Sequence, residues 1–342
     1  MGDLNMKYIL LFMLLFIGEQ VFSQNKENYF ENPSDYPLIG NWTGKWINPQ
    51  KGHEQAIPDL TAQVDVGKNN VYIIRFLPQL YKRATLYLEV TVDLKNDELV
   101  WEKDGWKFTF SGDSCKGYGN LHGDRVSFYL MKNREVSPTL GMQAPEGAVQ
   151  LFDGENLKYW QHSDGREVTW KNDSGVLETV SEFWNKGKNR ETGIGGSIET
   201  KQKFGDLQFH MEFRYPVEAG KMGQDRGNSG LFFFGIGEIQ ILNSYALTGY
   251  WDDCGSIYKQ TPPTVNASGP PLQWQTYDVE LLLPKFDNSG KKISNALLTV
   301  WLNGILIHNK LEIVTDANKV NIGLQDHINC LQYRNIWVDT IN

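Results

Sequence analysis

The stretch LQFHMEFRY, residues 207–215, alternates without a break. Leu207, Phe209, Met211, Phe213 and Tyr215 fall on one side, and Gln208, His210, Glu212 and Arg214 on the other. Successive side chains of a strand point to opposite faces, so a period of two predicts a strand with one face in a core and one polar face. The same alternation recurs in LTAQVDVG (60–67), VYIIRFLP (71–78), LYLEVTVDL (86–94), WKFTFSGD, RVSFYLMK and WQTYDVELLL. In the last of these, Thr276, Asp278 and Glu280 oppose Tyr277, Val279 and Leu281. ALLTVWLNGILIHN sets Asn303 and Gly304 between two apolar runs, and both residues tolerate the positive φ of a tight hairpin turn. After the N-terminal apolar run no segment shows the helical period over a useful length, and no glycine-rich nucleotide fingerprint is present. The pattern predicts an all-β chain, with an antiparallel sandwich as the fold.

At 342 residues the chain exceeds the usual size of one domain. Residues 24–130 read as a small all-β domain, barrel or sandwich. Residues 131–148 hold Pro138, Gly141, Pro145 and Gly147 without periodicity and read as a linker. Residues 149–342 form a second β-rich unit. Ahead of these, residues 1–23 carry an apolar run from Tyr8 to Ile17 and the small Ser23, which reads as a signal peptide. The run is too short to span a bilayer as a helix, so an exported chain without a transmembrane span is expected.

A net charge of −8 argues against a nucleic-acid partner, which requires clustered Lys and Arg. Eleven Trp and 13% aromatic residues suit either a sugar-binding surface or a filled β core. Three cysteines allow at most one internal disulfide. Cys254 and Cys330 are the pair that would form it, with buried thiols as the alternative, and none has zinc-site spacing.

RGNSGLFFFGIGEIQILNSY, residues 226–245, is less routine. Strand geometry puts Glu238, Gln240 and Leu242 on one face and Ile239 and Ile241 on the other, so a polar surface or a site backs a core strand. With LFDGENLKYWQ (151–161), VTWKNDSGVLE (168–178), GGSIETKQKFGDLQFHMEFRYP (195–216), GSIYKQTPPTVNAS (255–268), WQTYDVELLLPKFD (274–287), LQDH and RNIWV, this stretch resembles, block by block, the 3-keto-disaccharide hydrolase family. The resemblance covers about residues 149–342. It departs at Ile236 and Gly237, where many members carry Arg-Tyr, and at Asn243, where Asp is common.

The resemblance implies a concanavalin-like jelly roll whose concave face holds sugar, in a bacterial periplasmic or cell-surface protein. It also implies a glucoside whose C3 hydroxyl a separate sugar 3-dehydrogenase has oxidised to a ketone. Such a ketone acidifies the C2 hydrogen, so a general base can start a β-elimination that expels the C1 substituent, and water addition completes a net hydrolysis. On this reading Glu238, Glu212 and His327 are the catalytic candidates. Arg226, Asn228, Gln240, His210, Asp326 and Tyr258 are the substrate-binding candidates, with Glu238 and Gln240 beside the polar face of strand 207–215. A divalent metal is an open option. Two other readings stand beside this one: a non-catalytic carbohydrate-binding sandwich, and a conventional glycoside hydrolase with two carboxyls flanking the anomeric carbon.

Overall fold

The structure, a computed structural model, describes residues 30–47, 59–82, 85–180, 194–247 and 249–341. The expected leader at 1–23 lies outside the described residues. No described helix is long and apolar enough to cross a membrane.

Eight antiparallel strands, from Gly40–Ile47 to Asp124–Lys132, close into a barrel in which the first strand pairs with the last. At this strand number side chains just fill the interior. Here the filling is aromatic: Trp42, Trp46, Phe76, Trp106, Phe108, Phe110 and Phe128 are buried and meet edge-on or tilted. The high tryptophan content is therefore largely core. Among the described residues only Trp251, 60% exposed, stands well out of the surface.

The second unit is a two-sheet sandwich. The smaller sheet runs Trp160–His162, Ile198–Thr200, Ile322–Leu324, Ser229–Phe233, Gly237–Ile241. The larger runs Lys171–Asp173, Val176–Glu178, Gln332–Thr340, Leu207–Arg214, Gln275–Leu282, Ala296–Leu302, Ile305–Ile313, with Val149–Phe152 also paired to Gln332–Thr340. The C-terminal strand thus lies inside the larger sheet. Phe209, Met211 and Phe213 face Leu231, Phe233, Ile239 and Ile241 across the core, and Phe209 meets Phe233 edge-on at 5.7 Å. Burial of each such side chain contributes about 1.5–3 kcal/mol. The Tyr277 hydroxyl crosses the same core to donate to the Gln240 carbonyl at 2.7 Å.

Since both apolar faces point inward, the two polar faces point to opposite sides of the molecule. This corrects the expectation that Glu238 and Gln240 lie beside the polar face of strand 207–215. The strand is predicted well but belongs to the other sheet. Leu242 also departs from the expected alternation, because the strand ends at Ile241 and both residues turn into the core.

Residues 137–142 form a strap fastened across the outer face of the larger sheet. Ser137 and Thr276 share a hydroxyl contact of 2.6 Å, and Thr139 donates to Asp278 at 2.6 Å. The Gly141 amide donates to Glu212 at 2.6 Å, while Asn335 and the Trp337 indole donate to the Met142 carbonyl. The barrel is joined to the sandwich by buried polar contacts. The Arg226 guanidinium grips both carboxylate oxygens of Asp65 at 2.8 and 3.0 Å. Tyr245 donates to Asn41, and Val217 and Leu272 pack into the barrel core. Cys115, Cys254 and Cys330 are buried thiols, so the optional Cys254–Cys330 disulfide does not form.

Candidate active site

The outer face of the smaller sheet carries a complete cross-strand row: Gln161, Glu199, Gly323, Phe232 and Glu238. One row along, Gly230 stands opposite Gln240, and the Gln325 amide donates to the Gly230 carbonyl. The chain 255–258 covers what would be the sheet edge: Tyr258 donates its amide to the Glu238 carbonyl, and Gln240 exchanges backbone bonds with Ser256 and Gly255. Glu238 is therefore drawn into a half-buried recess.

Its carboxyl lies over Gly230, where a Cβ would stand 2.2 Å from Glu238 Oε1. Burial alone pushes the acid up to about 7, and no neighbouring charge opposes the effect. Among the described residues, none donates a hydrogen bond to this carboxylate. A carboxylic acid that titrates near neutrality without a partner has the property a general base requires.

Amides surround it. Gln240 Nε2 donates to Asn228 Oδ1 at 2.9 Å, and Asn228 Nδ2 donates to the Gln224 carbonyl at 2.7 Å. The Asn228 backbone amide donates to Asn329 Oδ1. This chain of amides needs the sharp turn at Gly227, where φ is +53° and a Cβ would sit 2.9 Å from that of Asn243. His327 lies half-buried in the loop after Ile322–Leu324; burial lowers its pKa, a tendency that nearby Asp225 opposes only in part, and leaves the ring neutral at pH 7. Tyr258 lies half-buried beside Glu238 with the Lys259 ammonium 5.0 Å over its ring.

Four other sequence candidates are committed elsewhere. Arg226 faces the barrel, with its charge satisfied by Asp65 and its Nε donating to the Val217 carbonyl, so it is a tie between domains that holds the turn ahead of Asn228. Asp326 is buried and accepts the Gly196 amide at 2.7 Å, fastening a loop. Glu212 and His210 lie on the opposite face under the strap. Burial opposes ionisation of Glu212, but bonds from His210, Asn335, the Gly141 amide and Arg334 bring it down to about 2. Burial likewise disfavours charge on His210, yet Asp278 at 2.6 Å and Glu212 at 3.8 Å raise its pKa overall. This is an ion network holding the strap down. Its members were conspicuous in the sequence because buried charge is rare, whatever its role.

Two contributors were not foreseen. Gly230 supplies the clearance for Glu238, and its only sequence signal was a glycine within an apolar strand. Asp65 supports the site loop from the barrel, 161 residues away in sequence, and local pattern carried no trace of it. The residues around Glu238 do not fit a divalent ion: among the described residues no group of three His, Cys, Asp or Glu side chains is placed to hold a metal. In its own row the other carboxyl, Glu199, is three strands away, roughly 14 Å at the usual strand spacing.

Comparison with known proteins adds a lineage to this geometry. Residues 147–339 match a family model described as a 3-keto-alpha-glucoside-1,2-lyase-like domain. A Parabacteroides distasonis crystal structure, described as a candidate glycosyl hydrolase, is similar at 32% identity and a TM-score of 0.51, covering 58% of this chain and 86% of the other. A second structure from the same organism, described in the same way, has 16% identity and a TM-score of 0.41, covering 58% and 95%. No curated protein sequence matches the chain.

Proposed function

Since the chain belongs to the family of 3-keto-alpha-glucoside-1,2-lyase-like domains, and is thus a carbohydrate-active enzyme of the glycoside-cleaving kind, we propose that it cleaves 3-keto-glucosides with Glu238 as general base. The observation that carries the reading is the state of Glu238: a carboxyl on the outer face of the smaller sheet, lifted to about 7 by burial with no second acid among the described residues to pair with.

The ionised carboxylate takes the C2 proton, and the electron pair moves into the C2–C3 bond as the ketone becomes an enolate. Collapse of the enolate forms a C1–C2 double bond and breaks the bond from C1 to the aglycone oxygen, which leaves with a proton. Water then adds, hydroxyl to C1 and hydrogen to C2, to give the free 3-keto sugar. A hydrogen-bond donor near the ketone oxygen lowers the barrier by stabilising charge as it develops, and the neutral ring of His327 is the residue we assign to it. Asn228 and Gln240, bonded to one another, are the residues we assign to substrate binding. A separate 3-dehydrogenase supplies the ketone. The suggested leader at 1–23 would deliver the enzyme to the periplasm or cell surface.

A conventional glycosidase acting on an unoxidised sugar calls for two carboxyls, about 5 Å apart if retaining or about 6.5–9.5 Å apart if inverting, and the surroundings of Glu238 favour the single-base route over either. The test is a cleavage assay on a 3-keto-glucoside and its unoxidised parent in deuterated water, with wild type and Glu238→Gln. The reading expects cleavage of the keto compound alone, deuterium at C2 of the product, and loss of both in the variant. Equal turnover of the parent, or an unimpaired variant, would refute it; glycan binding without turnover would leave the non-catalytic reading.

A further inference from the structure

The opposite side of the sandwich holds a second concavity that the Glu238 chemistry does not use. It is a cavity of about 330 Å³ between the strap and the larger sheet, near the small end of the ~300–1,000 Å³ typical of ligand sites. Pro138, Thr139 and Met142 of the strap form one wall, and Trp301 and Trp337 also line it. The two indoles close a cross-strand row, Trp337–His210–Asp278–Trp301, which spans three strand spacings or roughly 14 Å. In the adjoining row Gln208 stands directly opposite Glu280.

The bonding state of these groups separates structure from site. Asp278 is committed to His210 and Thr139, and the Trp337 indole to the Met142 carbonyl. Three other polar groups at the cavity have no bond to any described residue: the Trp301 indole N–H, the Gln208 amide and the Glu280 carboxylate. Trp301 and Glu280 are half-buried, and Gln208 is exposed. Between them they offer donors (indole and amide N–H) and acceptors (amide oxygen and carboxylate) beside a flat aromatic ring. A cation would use only the acceptors, and an apolar ligand would leave all three unsatisfied. A pyranose matches the set: its hydroxyls both donate and accept, and its C–H face packs on an indole.

We propose that this cavity is a second, non-catalytic carbohydrate site that binds one pyranose ring, with Trp301 as the platform and Glu280 and Gln208 as hydroxyl partners. The site lies on the far side of the sandwich from Glu238 and stands independently of the elimination reading. It would hold an unoxidised part of a glycan, or a neighbouring chain of one, while the recess at Glu238 engages a separate sugar unit.

Isothermal titration of the full chain with methyl glucosides, galactosides and mannosides tests this, in a Glu238→Gln background so that no ligand is consumed. Trp301→Ala, Glu280→Gln and Gln208→Ala are compared within that background. The expected result is saturable binding of at least one glycoside with Kd on the order of 1–10 mM, weakened roughly tenfold or more by Trp301→Ala and by Glu280→Gln. Should Trp301→Ala fail to fold, the two milder variants decide. No binding by any glycoside at tens of millimolar, binding that Glu280→Gln and Gln208→Ala leave unchanged, or displacement by tetramethylammonium would overturn the proposal. Cleavage of a 3-keto-glucoside by the Trp301→Ala variant in an otherwise wild-type chain is expected at the wild-type rate. That arm fails separately from the binding arm and reports only on the Glu238 reading.

Discussion

Replacing Glu238 by Gln keeps the shape of the side chain and removes its charge, so its effect on stability should depend on pH in a calculable way. The acid ionises around 4.5 when unperturbed and at about 7 in the fold. A carboxyl with a raised folded pKa favours the fold in its neutral form: that contribution is complete below about 4.5 and is lost as pH rises through about 7. At roughly 1.36 kcal/mol for each tenfold change, ionisation at pH 8 costs the fold at most about 3.4 kcal/mol. Glu238 is only half-buried, and solvent screening reduces this to about 1–2 kcal/mol. Urea unfolding of wild type and Glu238→Gln at pH 5 and pH 8 measures the difference directly. The variant should gain stability relative to wild type by about 1–2 kcal/mol on going from pH 5 to pH 8, while losing cleavage. A stability difference independent of pH would refute the claim that a desolvated, unpartnered carboxylate sits here, and the base assignment would lose its physical ground.

Asp65→Ala strands the buried Arg226 charge and should lower stability by about 3–5 kcal/mol; combining Asp65→Leu with Arg226→Met should recover most of this in thermal unfolding, and equal losses in both would show that charge pairing is not what matters. Gly230→Ala puts a methyl group 2.2 Å from Glu238 Oε1, so a roughly 10–100-fold drop in kcat/KM is expected from the displaced carboxyl, with Tm within a few degrees of wild type because a flexible side-chain end gives way; unchanged kinetics would count against the packing described. Glu212→Gln should cost about 2–4 kcal/mol of stability and leave the cleavage rate unaltered. The stability due to Glu212, whose folded pKa is about 2, is present above about 4.5 and lost as pH falls through 2, so the gap between wild type and variant should close in strong acid.

Strands were legible because alternation is a local property: one face of Leu207–Arg214 had to be apolar whatever it packed against. The hairpin at Asn303-Gly304 was legible for the same reason, since its turn chemistry is carried by two adjacent residues. The assignment of strands to sheets was not. Glu238 and Glu212 looked like neighbours because each is an acid on a polar strand face, and only the pairing of Leu207–Arg214 with Gln275–Leu282 and Gln332–Thr340 sets them on opposite sides. Buried charge misled in a similar way, as Arg226 and His210 meet needs that arise from distant segments, the barrel in one case and the strap in the other. Glu238 stood out in the sequence for its place in a polar pair, but its lack of any partner, which makes it chemically interesting, emerges only in three dimensions.

The position of Gln332–Thr340 inside the larger sheet bears on how the protein is made. The barrel closes once Asp124–Lys132 has left the ribosome, about two-fifths of the way along the chain, and can fold while synthesis continues. The sandwich cannot follow in the same manner, because Leu207–Arg214 and Val176–Glu178 wait for Gln332–Thr340, a strand translated long after them. During that interval Phe209, Met211, Phe213 and their opposite numbers are exposed on unpaired strands, the condition under which β chains aggregate. A stop codon ahead of Gln332 would leave a finished barrel attached to a sheet without the strand between Val176–Glu178 and Leu207–Arg214, and a nascent chain in that state is a natural client for a chaperone.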